Sequence, residues 1–503
     1  MFVRKNRNRS GSVSVQIISK DGGKYRVIKT VGTSADPDEI ECLRLRAENE
    51  LQRGDPRQAE LFARHTTADH IVENLVTMLA NGNVRTIGPE LIFGTLFDRM
   101  GFGQIRDNLF RHLVIAHLAY PGSKLKTIDY LYRYQGVHLS VSALYHALDR
   151  LHIRHKQQAE TLVYEHTRKT IATLSALFYD VTTLYFEAEH EDDFRKMGFS
   201  KDGKFEHPQL MLGLLVGERG RPIGYDVFEG NTFEGHTLIP VLTRFEQRHG
   251  LGRPVVIADA AMLSASNLAR LADQEYQFVL AARIKNESET IKQKILAQSQ
   301  GMKHGEHFVL VRDDGIRLIV SYSHRRAAHD RKNREKGVER LRKRVKTGRM
   351  TKEHLNKRGY NKFLILEDEV HVRIDTEKIE ADQRWDGLKG YLTNTTMTAE
   401  EVIDNYSHLW QIEKAFRISK TDLRVRPIYH YRKRRIEAHL CISFVAYAIY
   451  KELEQLLETH NTGISATRAG ELTHTMYELE YTLPDSKEKR RQILAMDEEQ
   501  RAL

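Results

Sequence analysis

Five apolar runs between residues 176 and 283 constrain the fold of this chain more than any other feature. The first three follow one another closely, as in an antiparallel meander, whereas the last two flank a short helical pattern that Ser264 or Ser266 is expected to cap. This order predicts a mixed sheet with helices packed on it, and hence the α/β class. The runs are ALFYDVTTLYF (176–186), HPQLMLGLLVG (207–217), RPIGYDVF (221–228), RPVVIAD (253–259) and YQFVLAAR (276–283).

Changes in pattern along the chain predict the organisation of the rest. A hairpin turn at residues 21–23 joins two strands near the start, and mostly helical periodicity follows it. Strands around a basic helical stretch interrupt the α/β core, which then resumes with a strand and two long helices. The predicted segments are a β-hairpin region (1–37), a helical region (38–170), the first part of the core (171–285), a β-rich and basic insertion (286–385), the second part of the core (386–455) and a peripheral C-terminal segment (456–503).

The composition predicts a soluble globular protein of two to four domains. Of the 503 residues, 40% are hydrophobic and 29% are charged. The longest apolar run, residues 440–450, is about half the ~20 residues that a transmembrane helix needs, and the basic N-terminus lacks the apolar stretch of a signal peptide. Only two cysteines are present, Cys42 and Cys441, which excludes a disulfide framework. We therefore expect a cytoplasmic location and no membrane association.

Positive charge is concentrated in two stretches of the chain. The overall net charge is +10, but residues 325–362 carry +12 and residues 414–435 carry +8, which leaves −10 on the remainder. Such clustering is typical of a surface that binds a polyanion, and nucleic acid is the expected partner. A solvated helix face is the alternative interpretation of either stretch taken alone.

Two aspartates stand where apolar residues are expected. Asp180 lies in the middle of the first apolar run, although aspartate is depleted in strands and an unpaired buried carboxylate is costly. Asp259 ends the fourth run, at the carboxyl end of a strand, where open α/β sheets place their ligand sites. Each residue also has a structural interpretation: Asp180 as a hydrogen-bonded core carboxylate, and Asp259 as a turn or capping residue.

A glutamate lies on the packing face of a predicted helix over residues 404–420. The seven-residue spacing of Tyr406, Glu413 and Lys420 places them on one face of that helix. Glu413 is therefore predicted to be half-buried and to need a partner. The partner is either a cation from the same helix, Arg417 or Lys420, or a metal ion.

Together the three acidic residues indicate metal-dependent chemistry. Asp180, Asp259 and Glu413 come from three distant segments, and carboxylate oxygens are the ligands that Mg²⁺ prefers. Two such ions, with Mn²⁺ as a substitute, can activate a water or a 3′-hydroxyl and stabilise the leaving oxygen of a phosphodiester. Without metal the three carboxylates would repel one another, so we expect some of them to be protonated.

The chain resembles the DDE transposases of bacterial insertion sequences, and within them the insertion-sequence-four-like family. The resemblance depends on the blocks FYDVTT (178–183), GNT (230–232) and VIAD (256–259), and on YSHLWQIEKAFRISK (406–420). The last block matches three of the four positions of the family pattern Tyr-x2-Arg-x3-Glu-x6-Lys, at Tyr406, Glu413 and Lys420; Leu409 replaces the arginine. The resemblance implies a catalytic core with an RNase H-like fold.

The resemblance also implies roles for individual residues. Asp180, Asp259 and Glu413 become the catalytic, metal-binding triad, while Tyr406 and Lys420 contact DNA phosphates. Leucine cannot make the bidentate phosphate contact of the missing arginine, and we predict that Arg417 takes it over. Trp410 is either a base-stacking residue or a core aromatic.

Three functions are compatible with these features. The first is a transposase that binds the terminal inverted repeats of its element, cuts them and joins the 3′-ends to target DNA. It would work as a homodimer in a DNA-bound complex, associated with the bacterial nucleoid. The second is a stand-alone metal-dependent nuclease, and the third is an inert DNA-binding protein derived from a transposase. The sequence has no G-x-x-x-x-G-K-[ST] loop, so no nucleotide cofactor is expected.

Overall fold

A computed structural model describes the chain in two compact units. The first comprises Met1–Arg85 and Glu478–Ile493, and the second comprises Thr86–Tyr477 and Leu494–Leu503. The described residues are 1–52, 72–73, 76–77, 79–80, 83–171, 174–188, 190–201, 203–250, 252–347, 356, 359–366, 372–483 and 486–503. Parts of the predicted helical region 38–170 and of the basic stretch 325–362 lie outside these residues, and the predicted domain boundaries stay predictions.

The first unit contains the predicted hairpin together with a strand that the sequence analysis missed. Strands β2 and β3 pair around the turn at residues 21–23, and β1 pairs antiparallel with the other edge of β2. Helix α1 packs on this sheet through Val15, Ile17 and Ala47, all of which are buried. The bounds are β1 (Phe2–Arg7), β2 (Val13–Asp21), β3 (Lys24–Ser34) and α1 (Pro37–Gln52).

The second unit begins with helices that pack on the later sheet and on a long C-terminal helix. Their buried side chains belong to the same hydrophobic cluster as one face of that sheet. Side-chain caps mark several starts, because Asp107, Ser123 and Ser140 accept hydrogen bonds from backbone N–H groups of the first turn. The helices are α2 (Thr95–Arg99), α3 (Asn108–Ala119), α4 (Lys124–Gln135), α5 (Val141–Arg150) and α6 (Lys156–Thr170); strand β4 (Val84–Thr86), before them, has its first two residues in the first unit.

All five predicted core strands are present, and they form the predicted mixed sheet. Three antiparallel strands lead into a helix, and the next two strands run parallel to the first, with Ser264 capping the short helix between them. This is the strand order of an RNase H-like core. The elements are β5 (Ala176–Tyr185), β6 (Gln209–Val216), β7 (Pro222–Glu229), α7 (Leu238–His249), β8 (Val255–Ala258), α8 (Ala265–Asp273) and β9 (Phe278–Ala282).

Strands of the predicted insertion extend this same sheet. Two of them join its edge through β14, which pairs antiparallel with β9, so the sheet has eight strands in all. A 23-residue basic helix follows them. The elements are α9 (Glu289–Gln298), β10 (His307–Val311), β11 (Arg317–Tyr322), α10 (His324–Lys346), β12 (Leu364–Leu366), β13 (Val372–Ile374), α11 (Thr376–Gln383) and β14 (Leu388–Thr393).

The C-terminal part of the chain is helical up to α15, and then forms a hairpin that pairs with β4 in a three-stranded sheet and a last short helix. The helix predicted over residues 404–420 is divided in two, because hydrogen bonds between residues three apart tighten the backbone from Asn405 to Ile412. No described helix is long and apolar enough to cross a membrane. The elements are α12 (Ala399–Ser407), α13 (Trp410–Arg417), α14 (Lys433–Thr459), α15 (Ala466–Thr473), β15 (Tyr477–Thr482), β16 (Lys489–Ile493) and α16 (Glu498–Arg501).

Alternation along the strands assigns side chains to the two faces of the sheet. In β5, Leu177, Tyr179 and Val181 lie in the hydrophobic cluster that contains α7 and α8, whereas Phe178 lies in the cluster that contains α13 and α14. Asp180 has the parity of Phe178. The fold therefore directs Asp180 towards the face that is covered by the helices around α13.

A buried ion pair fastens α14 to the sheet. Glu452 is only 4% exposed at its side chain, and its carboxylate lies 3.0 Å from Arg221 Nη1 and 3.0 Å from His166 Nε2. Burial alone would raise the pKa of Glu452, but the hydrogen bond from His166 and the charge of Arg221 outweigh it and lower the pKa to about 2. Removing the carboxylate leaves Arg221 buried without its counter-charge.

We predict that Glu452→Gln lowers the free energy of unfolding at pH 7 by roughly 3 kcal/mol. The folded-state pKa lies below the usual 4.5, so the stabilisation is complete above pH 4.5 and is lost as the pH falls towards 2. Chemical denaturation at pH 7 and at pH 3.5 should show the difference from wild type narrowing, with Glu458→Gln, an exposed position of α14, as the control. A difference that is equal at both pH values would contradict the prediction.

Candidate functional site

Asp180 is held in the sheet by groups from its own surroundings. Its Oδ1 accepts a hydrogen bond of 2.7 Å from the Val181 N–H and lies 3.7 Å from Lys201 Nζ, which also contacts Glu234 at 3.0 Å. Burial raises the pKa of Asp180 to about 6, against the lowering effects of Lys201 and the Val181 N–H; Asp259 and Glu234 add to the rise. Asp180 is therefore harder to ionise than an exposed aspartate.

Asp259 is brought beside Asp180 by parallel strand pairing. Tyr179 of β5 pairs with Ala258 of β8, so each aspartate is the next residue along its own strand. Asp259 Oδ1 accepts a hydrogen bond of 2.6 Å from the Ala260 N–H and one of 3.4 Å from the Tyr406 hydroxyl. Burial and the charge of Asp259 both raise the pKa of Tyr406, so its hydroxyl stays protonated and remains a donor.

Glu413 reaches the same region from α13. The buried face of that helix is formed by Ile412, Ala415 and Phe416. Glu413 is exposed, and not half-buried as the sequence predicted. Within the described part of the chain, its carboxylate makes no hydrogen bond or ion pair. Of the partners that the sequence left open, Arg417 forms no ion pair with Glu413 among the described residues, and a metal ion stays a prediction.

The three acidic residues line one cleft of about 1030 Å³. Tyr406, Leu409 and Trp410 line it as well. Trp410 is 53% exposed, so it is not a core aromatic, whereas Leu409, at the position of the missing arginine, is 8% exposed. Arg417 and Lys420 are not among the lining residues.

A lysine that the sequence analysis missed also lines this cleft. Lys389 of β14 has its Nζ 4.1 Å from the centre of the Tyr406 ring. Burial, then the charge of Arg326, lowers the pKa of Lys389 to about 8, while Asp259 and Glu413 act in the opposite direction. The signal that identified Asp180, a charged residue inside an apolar strand, is also present here in GLKGYLTNT.

Basic residues between positions 283 and 362 also line the cleft, but several are paired with acids. Arg334 binds Asp386 through two hydrogen bonds of 2.5 and 2.6 Å. Asp382 accepts hydrogen bonds from Lys285 at 2.8 Å and Lys362 at 2.7 Å. The cleft therefore carries charges of both signs, and these three cations are held by their ion pairs with Asp382 and Asp386.

The carboxylates suit a divalent cation in their chemistry. Among the described residues, no three His, Cys, Asp or Glu side chains are grouped closely enough to hold a metal ion. Asp180, Asp259 and Glu413 nevertheless supply hard oxygen donors to one cleft, and the raised pKa of Asp180 is partly due to the negative charge of Asp259. A cation bound between them would relieve that repulsion.

Comparison with known proteins identifies the family. Residues 172–449, more than half of the chain, match the family model described as "Transposase DDE domain". The structure resembles that of a piggyBac transposase in a synaptic complex with hairpin DNA, with a TM-score of 0.39 and 11% sequence identity over 73% of this chain and 69% of that one. A search of curated protein sequences finds no match.

The matched segment contains the whole cleft described above, from Asp180 to Glu413. Enzymes of this family transfer phosphoryl groups of nucleic acids and generally use divalent metal ions. The chain belongs to the DDE transposase family.

Proposed function

We propose that this protein is the transposase of a bacterial insertion sequence of the insertion-sequence-four-like family. It would bind the terminal inverted repeats of its element, cleave the ends and join the 3′-ends to target DNA. The observation that carries the proposal is the convergence of Asp180, Asp259 and Glu413, from three distant parts of the chain, in one cleft. A homodimer bridged by DNA, associated with the nucleoid, would be the working assembly.

We propose that Asp180, Asp259 and Glu413 together bind two Mg²⁺ ions, for which Mn²⁺ can substitute. Metal ions held there would activate the attacking water or 3′-hydroxyl and stabilise charge on the leaving oxygen. The protein's part is to present the three carboxylates in ionised form. Lys201 and the Val181 N–H favour ionised Asp180, and the Ala260 N–H donates to Asp259.

Tyr406 and Lys389 would orient the scissile phosphate. The Tyr406 hydroxyl donates its hydrogen bond to Asp259 in this structure, and it could donate to a phosphate oxygen instead when DNA is bound. Lys389 supplies a cation to the cleft, whereas Leu409, which stands at the arginine position of the family pattern, supplies none. Its ammonium would stabilise the negative charge that develops on the phosphoryl oxygens.

The remaining predicted DNA contacts surround this centre. Trp410 is exposed in the cleft and would stack on a base, as exposed aromatics do in single-strand binding. Arg417 is exposed and Lys420 is half-buried, both outside the cleft, and we propose that they hold DNA phosphates farther along the duplex. The exposed basic face of α10 would follow the same DNA.

We predict that Glu413→Gln abolishes cleavage of the element ends, with at least a hundredfold fall in rate, because one metal ligand is lost while the helix is retained. The assay uses labelled duplexes from either end of the gene's locus in Mg²⁺, with Asp404→Asn, an exposed acid of α12, as the control. Cutting without joining to a second duplex would identify a nuclease. Binding without cutting in Mg²⁺ or Mn²⁺ would identify an inert DNA-binding protein.

We predict that Asp180→Asn stabilises the metal-free protein at pH 8 but not at pH 4. The folded-state pKa of about 6 lies above the usual 3.8, so the cost of ionising Asp180 is absent below about pH 4 and complete above about pH 6. The gain has an upper limit of roughly 3 kcal/mol. Thermal denaturation measures it, and added Mn²⁺ should raise the midpoint of the wild type alone. An equal response of the variant to Mn²⁺ would exclude Asp180 as a ligand.

We predict that Lys389→Met lowers end cleavage at limiting DNA at least tenfold, whereas end binding changes little. Because the pKa of Lys389 is about 8, the wild-type rate should fall as the pH rises through that value and the ammonium is lost. Lys389→Arg keeps a positive charge and should remove that fall. Lys294→Met, an exposed position of α9, is the control. If the cleavage rate of Lys389→Arg falls above pH 8 as it does in the wild type, that fall is due to another group.

A further inference from the structure

A second cavity of the second unit lies apart from the catalytic cleft and is open to a ligand. It has a volume of about 970 Å³ and shares no lining residue with the cleft. Its walls are the start of α4, the chain that follows α13, and parts of α14 and α15. We call it the Lys124 pocket, after the lysine at the first position of α4.

Lys124 is buried without a counter-charge. Its residue exposure is 5%, and its Nζ finds no hydrogen-bond partner among the described residues. Burial lowers the pKa of Lys124 to about 8, and no described carboxylate offsets that effect. A buried ammonium in this situation costs free energy unless an anion joins it.

Three histidines lie close enough to the lysine for its charge to affect them, and they remain uncharged. Burial, and then the charge of Lys124, lowers the pKa of His117, His430 and His439, so all three are neutral at pH 7. His439 Nε2 donates to the Val425 carbonyl at 3.0 Å, which leaves Nδ1 buried and without a described partner. With the proton on Nε2, His439 Nδ1 can only accept a hydrogen bond, so the Lys124 ammonium is the donor through which this cluster would bind an anion.

The rest of the pocket favours an anion that carries aromatic rings. The N-terminus of α4, a helix of 12 residues, adds a partial positive charge. Lys126, Arg424 and Arg426 line the pocket, against two acids, Asp422 and Glu471. Two tyrosines of the wall, Tyr120 and Tyr429, are 46% and 54% exposed; one face of the Tyr120 ring stacks on Tyr130, which leaves its other face for a ligand.

We propose that the Lys124 pocket binds a phosphate group of the DNA substrate, away from the bond that is cut. The phosphate would accept hydrogen bonds from Lys124 Nζ and become its counter-charge, while Tyr429 and Tyr120 would stack on the neighbouring bases. The inference rests on the proposed function in taking DNA as the ligand, although DNA binding itself does not require that the chain cuts or joins. The pocket would hold the DNA in register while the cleft acts on the scissile bond.

The first test uses inorganic phosphate and the thermal midpoint of the metal-free protein. Lys124→Met removes the charge and keeps an apolar chain of similar length, so we expect the midpoint in phosphate-free buffer to rise by a few degrees. Phosphate should raise the midpoint of the wild type and of Lys124→Arg, but not that of Lys124→Met. A lower midpoint for Lys124→Met without phosphate, or an equal response to phosphate, would overturn the proposal.

The second test measures DNA binding without metal, so that it does not depend on cleavage. We expect Lys124→Met to weaken binding of an end duplex about tenfold and to reduce the salt slope of log K by about one. Lys169→Met, an exposed position of α6, is the control for the change in net charge. Unchanged DNA affinity would overturn the proposal even if inorganic phosphate binds.

Two arms of the second test identify which phosphate is bound. Single-stranded oligonucleotides with a 5′-phosphate or a 5′-hydroxyl are compared on wild type and Lys124→Met. A loss confined to the 5′-phosphorylated strand supports a terminal phosphate, and an equal loss on both supports a backbone phosphate. Because no arm requires cutting, a chain that binds through Lys124 but neither cuts nor joins would refute the proposed function and leave the pocket standing.

Discussion

The parallel pairing of β5 with β8 is the constraint on which the site depends. It places Asp180 and Asp259 side by side at the point where β8 ends, and alternation turns Asp180 towards the face that α13 covers. Burial in this apolar sheet raises the pKa of Asp180, and the negative charge of the neighbouring Asp259 adds to the rise. The strands β6 and β8, which flank β5, are buried along their whole lengths, and this packing holds the two aspartates in place.

Compensation of these charges comes from elements that are far apart in the chain. Lys201, after β5, lies near Asp180; Tyr406 of α12 donates to Asp259; and Lys389 of β14 lies over the ring of Tyr406. None of these contacts is a close ion pair with an aspartate, since the Lys201 contact is 3.7 Å long. The carboxylates are thus positioned by the protein but not neutralised by it, which suits a site that is completed by cations.

The sequence predicted the sheet, and it singled out Asp180 and Asp259, because both leave strong local signals, whereas Glu413 was identified from its helix spacing and the family pattern. Apolar runs of strand length identify β5 to β9, and an acid inside or directly after such a run is conspicuous. What it could not predict depends on packing between distant segments. The tight turn at His408 and Leu409 redirects α13, so Glu413 is exposed although its seven-residue spacing indicated a packing face. Strand β1 was missed because its residues are mostly exposed and charged.

Net charge along the chain is an incomplete guide to where DNA can bind. The stretch 325–362 carries +12 in sequence, yet Arg334 and Lys362 in it are paired with Asp386 and Asp382, which lie outside it. Lys124 contributes a single charge, but it is buried and unpaired within the described structure, so its interaction with an anion would be screened little by salt. The exposed residues of α10 add long-range attraction that salt weakens, whereas a buried, unpaired cation can select one phosphate position. Attraction and register would then come from different parts of the fold.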